Sequence, residues 1–331
     1  SRFNDSTRAG NTGSGLGLVY NSDITKYSLG PAYTQAAAAS LITATAGNDN
    51  TINMNSSLIN YLTPDQGGVT GSVSMSTREV ETGSRADVDT TAASIAAAYK
   101  FDNGMGQTTV GAFVEYGDGS YDTSATIAGW GKVKGDGDAT NFGGGLFAHN
   151  EFLNGTYVEG SLRFGNVDQE YKIKNVANSK FDTDANYWGA HLGLGHKIEL
   201  TDCAVMDIYG KFLYTSIDSM SAKNKLGEQL KIDSADSMRS RIGARVTQGF
   251  TDSPFSVYYG AAWEHEFDGE TRASVDGLKT KKADIRGSSG LGELGFVIKP
   301  ADVGFSLDVG VFGLVGQQEG GGGTAVLKYT F

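Results

Sequence analysis

The chain has 331 residues, of which 39% are hydrophobic and 20% charged, with a net charge of -11. It contains no apolar run of the roughly 20 residues that a membrane-spanning helix needs, and its 27 basic against 38 acidic residues provide no basic footprint for nucleic acid. Glycine contributes 47 residues and proline only 4, which is typical of many strands joined by tight turns. Composition therefore excludes a helical membrane protein and a nucleic-acid binder, and leaves one large all-β body or two domains.

The single cysteine, Cys203, excludes an intramolecular disulfide and a cysteine-based metal site. We interpret it as a small apolar residue at a strand end, and we expect no metal or other cofactor. Residues 1–20 have neither a basic n-region nor an apolar h-region, so no signal peptide is predicted there. We expect either a cytosolic chain or the mature or C-terminal part of a secreted precursor.

The first 66 residues carry no sustained alternation of polar and apolar side chains. The stretch from Ser1 to Gly15 is rich in Gly, Ser, Asn and Thr and is predicted to be a linker. A helix is predicted over 31–46, because Pro31 stands at its first position, alanine supplies helix propensity and Gly47 follows its end. A second short apolar patch follows at 58–62.

From Gly67 onward the sequence alternates with a period of two, which predicts β-strands. Most runs are longer than the five or six residues usual for soluble strands, and about ten residues suffice for a tilted transmembrane strand. The twelve predicted strands cover residues 68–78, 88–100, 107–118, 139–151, 155–168, 184–199, 203–217, 235–250, 254–268, 286–299, 302–316 and 321–331.

The connections between these runs alternate in length. Short turns are predicted at 102–106, 152–154, 200–202, 251–253 and 300–301, and long polar loops at 119–138, 169–183, 218–234 and 269–285. Short turns at one end and long loops at the other are typical of an outer-membrane barrel with an even number of strands. The sequence therefore predicts an all-β fold, a 12-stranded antiparallel transmembrane β-barrel.

In five of the runs the central charged residues share one parity and apolar residues the other, for example Arg239, Arg241 and Arg245 against Ile242, Ala244 and Val246. A basic residue facing lipid at the midplane costs about 2–4 kcal/mol, so the charged parity is predicted to face the lumen and aromatic residues near the strand ends to form girdles. The predicted lumen residues are Glu115, Glu159, Arg163, Asp207, Lys211, Arg239, Arg241, Arg245, Glu264, Glu266, Glu293 and Asp308.

Two expectations about this lumen follow. Arg239, Arg241 and Arg245 are expected to pair with Glu264 and Glu266 on the neighbouring strand. These charges either grip a helix or only keep the lumen hydrated and rigid. Glycines of the same parity are expected to let the wall approach a helix; they are Gly143, Gly145, Gly193, Gly195 and Gly243.

The last run places Leu327, Tyr329 and Phe331 on one face and is expected to close the barrel. Together with the order of the other motifs, it resembles the translocator domain of classical type V autotransporters of Gram-negative bacteria, over about residues 31–331. The stretches that carry the resemblance are 110–123, 143–147, 154–165, 240–245, 259–267 and 329–331.

The resemblance implies an outer-membrane translocator, the pore and anchor through which an N-terminal passenger reaches the cell surface. It implies a passenger remnant or linker at 1–30, a pore helix and linker at 31–66, and the barrel at 67–331. It also implies a monomeric barrel in contact with outer-membrane lipid, and a barrel-assembly machinery that reads Leu327, Tyr329 and Phe331. Some members cut themselves at an Asn-Asn bond in the pore; here the nearest stretch is 48–50, Asn-Asp-Asn, so we do not expect that cleavage.

Two other functions stay open, a stand-alone porin and a barrel hydrolase. The four histidines are His149, His191, His196 and His265, and they show no metal-binding spacing or nucleophile elbow. The stretch 117–120, Gly-Asp-Gly-Ser, is superficially similar to a lipase motif but has no partner. The sequence therefore predicts that the chain is not an enzyme.

Overall fold

The computed structural model describes residues 22–81, 85–127, 131–174, 179–223, 225, 227–301 and 303–331, with side chains of the N-terminal helix from Tyr33 onward. That helix, α1, covers Ser22–Tyr61. The barrel strands are β1 (Gln66–Glu81), β2 (Arg85–Asp102), β3 (Gly106–Ile127), β4 (Gly131–Phe152), β5 (Thr156–Ile173), β6 (Phe181–Thr201), β7 (Ala204–Ile217), β10 (Ala235–Gly249), β11 (Phe255–Glu266), β16 (Gly287–Ile298), β17 (Phe305–Gly316) and β18 (Gln318–Thr330). Loop strands are β8 (Met220–Lys223), β9 (Gln229–Ile232), β12 (Glu270–Thr271), β13 (Ala273–Val275), β14 (Leu278–Lys279) and β15 (Ala283–Asp284).

The barrel closes by antiparallel pairing of β1 with β18, in the ring order β1-β18-β17-β16-β11-β10-β7-β6-β5-β4-β3-β2. The pairing runs from Gly68 opposite Thr330 to Val80 opposite Gln318. The predicted 12-stranded antiparallel barrel with an N-terminal helix in its pore is therefore confirmed. No helix in the described ranges is both long and apolar enough to cross a membrane by itself.

The alternation that predicted the strands also sorts the two faces of the wall. Apolar side chains such as Ile95, Leu146, Leu192 and Val311 are more than half exposed on the outside, where lipid would cover them. The rings of Trp188 and Tyr214 lie in tilted contact on neighbouring strands, with centroids 4.9 Å apart. The inner positions hold α1 and the polar residues around it.

Two of the four predicted long loops are wrong. The stretch 119–138 belongs largely to β3 and β4, which pair as far as Ile127 opposite Gly131. The stretch 169–183 likewise extends β5 and β6, which pair up to Tyr171 opposite Phe181. Polar outward residues are compatible with a strand wherever its backbone groups pair with a neighbour, so these hairpins continue beyond the apolar band. Only 218–234 and 269–285 form loops, and both contain short strands.

The predicted helix boundaries are also wrong, since α1 begins at Ser22 and continues through Gly47 to Tyr61. Residues 1–21 lie outside the described residues. Glycine costs a helix about 1 kcal/mol relative to alanine, but tertiary contacts outweigh propensity here. Asn50 donates to Ser72 Oγ at 3.0 Å and to Ser94 Oγ at 3.1 Å, so the wall holds the turns that follow Gly47.

Two apolar clusters fix α1 at opposite ends of the lumen. The upper cluster, at the long-loop end, packs residues 33–44 of α1 against wall and loop residues. Those partners are Val80, Val88, Tyr121, Ala139, Val167, Tyr171, Ile173, Phe181, Ala185, Tyr187, Ile217, Met220, Leu230, Ile232, Ala235, Ala273, Val275, Ala283 and Ile285. The lower cluster, at the short-turn end, packs Met54, Leu58, Ile59 and Leu62 against Ala96, Ala98, Phe113, Phe147 and Val326.

The lumenal glycines act differently from the prediction. A Cβ on Gly143 would lie 2.3 Å from the Tyr187 hydroxyl, and one on Gly195 only 2.3 Å from the ring of Tyr157. Gly145, Gly193 and Gly243 similarly face Phe113, Glu159 and Tyr209. Their missing side chains make room for long lumenal side chains of neighbouring strands, which lie flat on the wall, rather than for α1.

The lumen and its helix as the candidate functional site

Asp49 of α1 lies among three arginines from two walls of the barrel. Its Oδ2 is 3.1 Å from Arg239 Nη1 and 3.5 Å from Arg78 Nη2, and its Oδ1 is 3.2 Å from Arg241 Nη2. Arg241 also pairs with Glu264 at 2.6 Å. The side chains of Arg239 and Arg78 are 1% and 5% exposed, so these charges are withdrawn from water and depend on one another.

A second buried ion pair holds Asn48 and Thr51, which flank Asp49 on α1. Arg163 Nη1 lies 3.5 Å from Glu115 Oε1, and each side chain is 2% exposed. Arg163 also donates to the Asn48 side-chain oxygen. Glu115 accepts hydrogen bonds from Thr51 Oγ1 at 2.8 Å and from the Tyr187 hydroxyl at 2.7 Å. Helix and wall thereby satisfy each other's buried polar groups.

The two histidines that face the lumen form a cluster on the wall. Glu159 pairs with Lys211 at 2.7 Å, and its carboxylate lies 3.1 Å from His191 Nε2 and 3.4 Å from His149 Nδ1. Nearby, the Tyr157 hydroxyl donates to Asp207 at 3.0 Å. These groups bond to one another across β4–β7 and connect the wall strands.

The expected pairing of the arginines is partly wrong. Arg239 and Arg241 do contact Glu264, but Arg245 pairs with Glu293 on β16 at 2.5 Å. Arg245 stands opposite Gly260 in the register, which has no side chain, so the guanidinium reaches one strand further. Glu266 instead accepts hydrogen bonds from Ser237 Oγ at 2.6 Å and from the Met238 N–H at 2.7 Å.

All twelve predicted lumen residues lie on the inner face of the wall. Six of them contact α1: Glu115, Arg163, Arg239, Arg241, Arg245 and Asp308. The other six bond to residues of the wall: Glu159, Asp207, Lys211, Glu264, Glu266 and Glu293. The first six are arranged to hold α1 and the second six to connect strands.

Lysines surround the C-terminal end of α1 at the short-turn end. Lys100 Nζ donates to the Ile59 carbonyl at 2.7 Å, and Lys197 Nζ donates to the Asn60 side chain at 2.9 Å. Lys328 Nζ donates to Ser57 Oγ at 2.6 Å, and Asp308 accepts from the same hydroxyl at 3.1 Å. Positive charge at a helix C-terminus stabilises the unpaired carbonyl groups there.

The helix does not fill the lumen evenly. It packs mainly against β1–β4, and a cavity of about 400 Å³ lies on its other side. The cavity is bordered by Asp49, Arg78, Arg241, Glu264 and Glu293, among others. A space bordered by charged side chains therefore runs beside α1.

Sequence reasoning missed Asp49 and Arg78 as lumen residues. Asp49 was considered only as part of a stretch that lacks the Asn-Asn bond. One signal was present, because Asp49 is the only charged residue between Tyr27 and Tyr61. Arg78 shares the inward parity of Ser72 and Ser76 on β1, but its strand carries a single charge on that face.

The last strand presents its apolar side to the exterior. Leu327, Tyr329 and Phe331 are 53%, 39% and 72% exposed. The Phe331 backbone exchanges hydrogen bonds with Gly67, which completes the barrel seam. Tyr329 packs at a tilt against Phe305 of β17 with ring centroids 4.6 Å apart, so these aromatic side chains form one patch on the outer surface.

Comparison with known proteins shows which family has this architecture. The autotransporter beta-domain family matches residues 69–311. The autotransporter adhesin/invasin TibA of Escherichia coli O78:H11 is 24% identical over 199 residues, which are 59% of this chain and 19% of TibA. The chain spans less than a fifth of the length of the curated relatives it matches.

Two solved structures share the fold. The translocator domain of NalP from Neisseria meningitidis superimposes with a TM-score of 0.66 at 14% identity, over 92% of this chain and 99% of that one. The transport unit of AIDA-I from Escherichia coli gives a TM-score of 0.61 at 13% identity, over 85% and 97%. The chain therefore belongs to the autotransporter beta-domain family and is a translocator unit of a Gram-negative outer membrane.

Proposed function

We propose that this barrel exports a passenger that precedes α1 and then anchors it at the cell surface, with α1 as the last exported segment. The observation that carries the proposal is the path of α1. It traverses a closed lumen from the long-loop end to Tyr61, and β1 begins five residues later at Gln66. A segment that precedes α1 would therefore leave at the long-loop end, which faces outward in outer-membrane barrels.

The proposed division of the chain follows from this path. The pore helix is α1, Ser22–Tyr61, and four residues link it to the barrel, which starts with β1 at Gln66. The predicted boundary at residue 31 therefore moves to Ser22, and the residues before it are assigned to the passenger's end or its linker. The passenger itself is the principal partner, and the barrel acts as a monomer in lipid.

In this proposal α1 closes the pore after export. A helix with side chains is about 10–12 Å across, and a twelve-stranded barrel lies between the filled eight-stranded and the open sixteen-stranded types. The contacts of Asp49 and of Asn48 and Thr51 with lumenal charges support a specific grip on the helix over charges that only hydrate the lumen.

Conductance tests this role of α1 and separates it from a stand-alone porin. We expect the full chain to conduct weakly in planar bilayers, and the chain without residues 1–62 to conduct several-fold more. Heat-modifiable migration in SDS gels shows in parallel that both barrels are folded. Equal conductance of the two folded barrels would contradict the plug, and an open full-length channel would favour the porin.

Leu327, Tyr329 and Phe331 are proposed as the signal that the barrel-assembly machinery reads. Their exposure on the closing strand supports this role. Phe331→Ala should lower the amount of barrel inserted into the outer membrane several-fold, as measured by surface proteolysis of cells. Phe305→Ala, which alters the neighbouring exposed aromatic, is the matched control; an equal loss in that variant would contradict a signal read at the terminus.

We also propose that the lumen performs no hydrolysis. Ser161 Oγ lies 3.2 Å from His191 Nδ1, whose Nε2 lies 3.1 Å from Glu159, an order of groups known from serine hydrolases. However, Ser161 is 8% exposed and its strand pairs on both sides, which leaves no backbone N–H groups for an oxyanion. Hydrolysis of peptide or phospholipid substrates that Ser161→Ala abolishes would contradict this assignment.

A further inference from the structure

The pore helix contains one charged side chain where it lies in the lumen. Between Tyr27 and Tyr61 every residue except Asp49 is uncharged, and most have small side chains. Neutral hydrogen bonds to such residues contribute only about 1 kcal/mol each, because water replaces them readily. Asp49 is therefore the one side chain in the lumenal part of α1 that brings its own charge to the wall.

Asp49 is the exception because it joins two distant walls. Arg78 belongs to β1, whereas Arg239 and Arg241 belong to β10, five positions away in the ring of twelve strands. The neighbouring contacts, from Asn50 to Ser72 and from Thr51 to Glu115, reach only the side of the barrel on which α1 packs. Asn53 also reaches Arg245 of β10, but the carboxylate of Asp49 contacts β1 and β10 with one side chain.

The arginine cluster can also bind an anion in addition to Glu264, the acidic residue that the wall itself supplies. Three guanidinium groups face two carboxylates, Asp49 and Glu264. Among the described residues, Arg78 Nε and the Arg239 Nε and Nη2 atoms are buried without a hydrogen-bond partner. Without Asp49, three buried cations would share one carboxylate, and uncompensated buried charge is costly.

We propose that Arg78, Arg239 and Arg241 form a carboxylate-binding site that receives Asp49 and sets the register at which α1 stops in the lumen. The inference rests on the proposed function, since it assumes that α1 enters the lumen at the end of export. Displacement by one helical turn moves a residue about 5.4 Å, which takes the carboxylate out of reach of all three arginines. Asp49 is thus a positioning residue for the end point of export.

A disulfide between helix and wall reports this register. Thr51 Oγ1 lies 2.8 Å from Ser94 Oγ, so cysteines at these positions come within bonding range only in the native register. The reporter is the full chain carrying Thr51→Cys and Ser94→Cys, with the exposed Cys203 replaced by serine. Its rate of disulfide formation is measured in detergent after heat-modifiable migration has shown a folded barrel.

Removal of the carboxylate should disturb the register. Asp49→Asn is expected to slow disulfide formation at least about ten-fold, whereas Asp49→Glu should retain most of the rate. The matched control is Thr45→Ala one turn before Asp49, which removes a hydroxyl that donates to the Ile42 carbonyl of α1 itself at 3.0 Å and should change the rate less than two-fold. An Asp49→Asn rate equal to that of the parent, or a loss of equal size in the control, would overturn the proposal.

Chemical rescue tests the binding site itself. In Asp49→Ala, formate added to the buffer should restore disulfide formation toward the parent rate, because the cavity that borders Arg78 and Arg241 gives it access. Chloride at equal ionic strength should restore less. Failure of formate to restore the rate would overturn the carboxylate site. If a passenger reporter fails to reach the cell surface in the parent chain, the proposed function fails whatever the register assay shows.

Discussion

The two halves of α1 are held by opposite kinds of contact. Residues 33–44, here the apolar segment, include five alanines and pack into the upper cluster, where Leu41 and Ile42 are fully buried. Residues 48–57, here the polar segment, carry asparagines, serines and Asp49, which bond to lumenal charges. The apolar segment is held by buried apolar surface, and the polar segment is held by paired polar groups.

The two kinds of contact have different effects. One determines how strongly α1 docks in the lumen, and the other determines the position along the lumen at which it docks. Apolar burial contributes about 25 cal/mol per Å² without regard to direction, and a row of alanines offers nearly the same surface after a shift along the helix. Ion pairs and hydrogen bonds depend on position, so a shift leaves them unmade. The apolar segment therefore supplies most of the stability of the docked helix, and the polar segment decides where it docks.

The largest effect should come from a charge in the apolar segment. Leu41→Asp places an unpaired carboxylate in the upper cluster, which should cost more than about 4 kcal/mol of docking free energy. Proteinase K should then cut α1 in otherwise folded barrels. Leu41→Met, which conserves volume, is the control and should stay resistant. If both variants resist cleavage equally, the apolar segment does not hold the helix.

The next largest effect should come from breaking the buried ion pair that contacts the polar segment. Arg163→Met leaves Glu115 buried without its cation, which should cost about 3–5 kcal/mol. The exposed pair of Arg85 with Asp87, at 3.0 Å, provides the matched comparison, and Arg85→Met should lower stability far less, because solvent screens an exposed pair. The measurement is the temperature at which each barrel loses its folded migration in SDS gels. Similar shifts in both variants would contradict a buried grip on α1.

Two smaller substitutions, one in each segment, should have additive effects on the free energy of docking. Ile42→Val should cost about 0.5–1.5 kcal/mol through a lost methyl group, and Asn50→Ala about 1 kcal/mol through lost hydrogen bonds to Ser72 and Ser94. The two sites lie eight residues apart, about 12 Å along the helix, so the double variant should equal the sum within about 0.5 kcal/mol. Protease resistance of α1 measures the three variants. A clear departure from additivity would show that the halves do not act independently.

The smallest effect is expected in the loop that covers the apolar segment. Thr271 donates to the Thr34 carbonyl at 2.8 Å, and the pKa of the adjacent Glu270 is lowered by hydrogen bonds from Lys282 and Arg272. A lowered pKa in the folded state gives stability that is present above the unfolded pKa of about 4.3 and is lost as pH falls through the folded pKa. Glu270→Gln should remove at most about 1 kcal/mol near neutral pH. Protease cleavage of this loop should become less dependent on pH in the variant; an unchanged dependence would contradict the assignment.

Much of this molecule was determined by the sequence alone. A period of two is a local property of each strand. Such strands form a closed barrel in lipid because every backbone group must be paired there. The number of strands, the lipid face and the inward position of residues such as Arg239 and Glu264 followed from that pattern. The same rule failed at 119–138, where the sequence is polar although β3 and β4 continue there beyond the lipid.

Only the tertiary structure decided the rest. The helix continues past Gly47 because the wall pairs with Asn48, Asp49 and Asn50, and local propensity carries no trace of those partners. Arg245 pairs with Glu293 because an intervening glycine lets it reach one strand further, which depends on register across three strands. Charges brought together from β1, β10 and α1 are distant in sequence, and only closure of the barrel places them around one carboxylate.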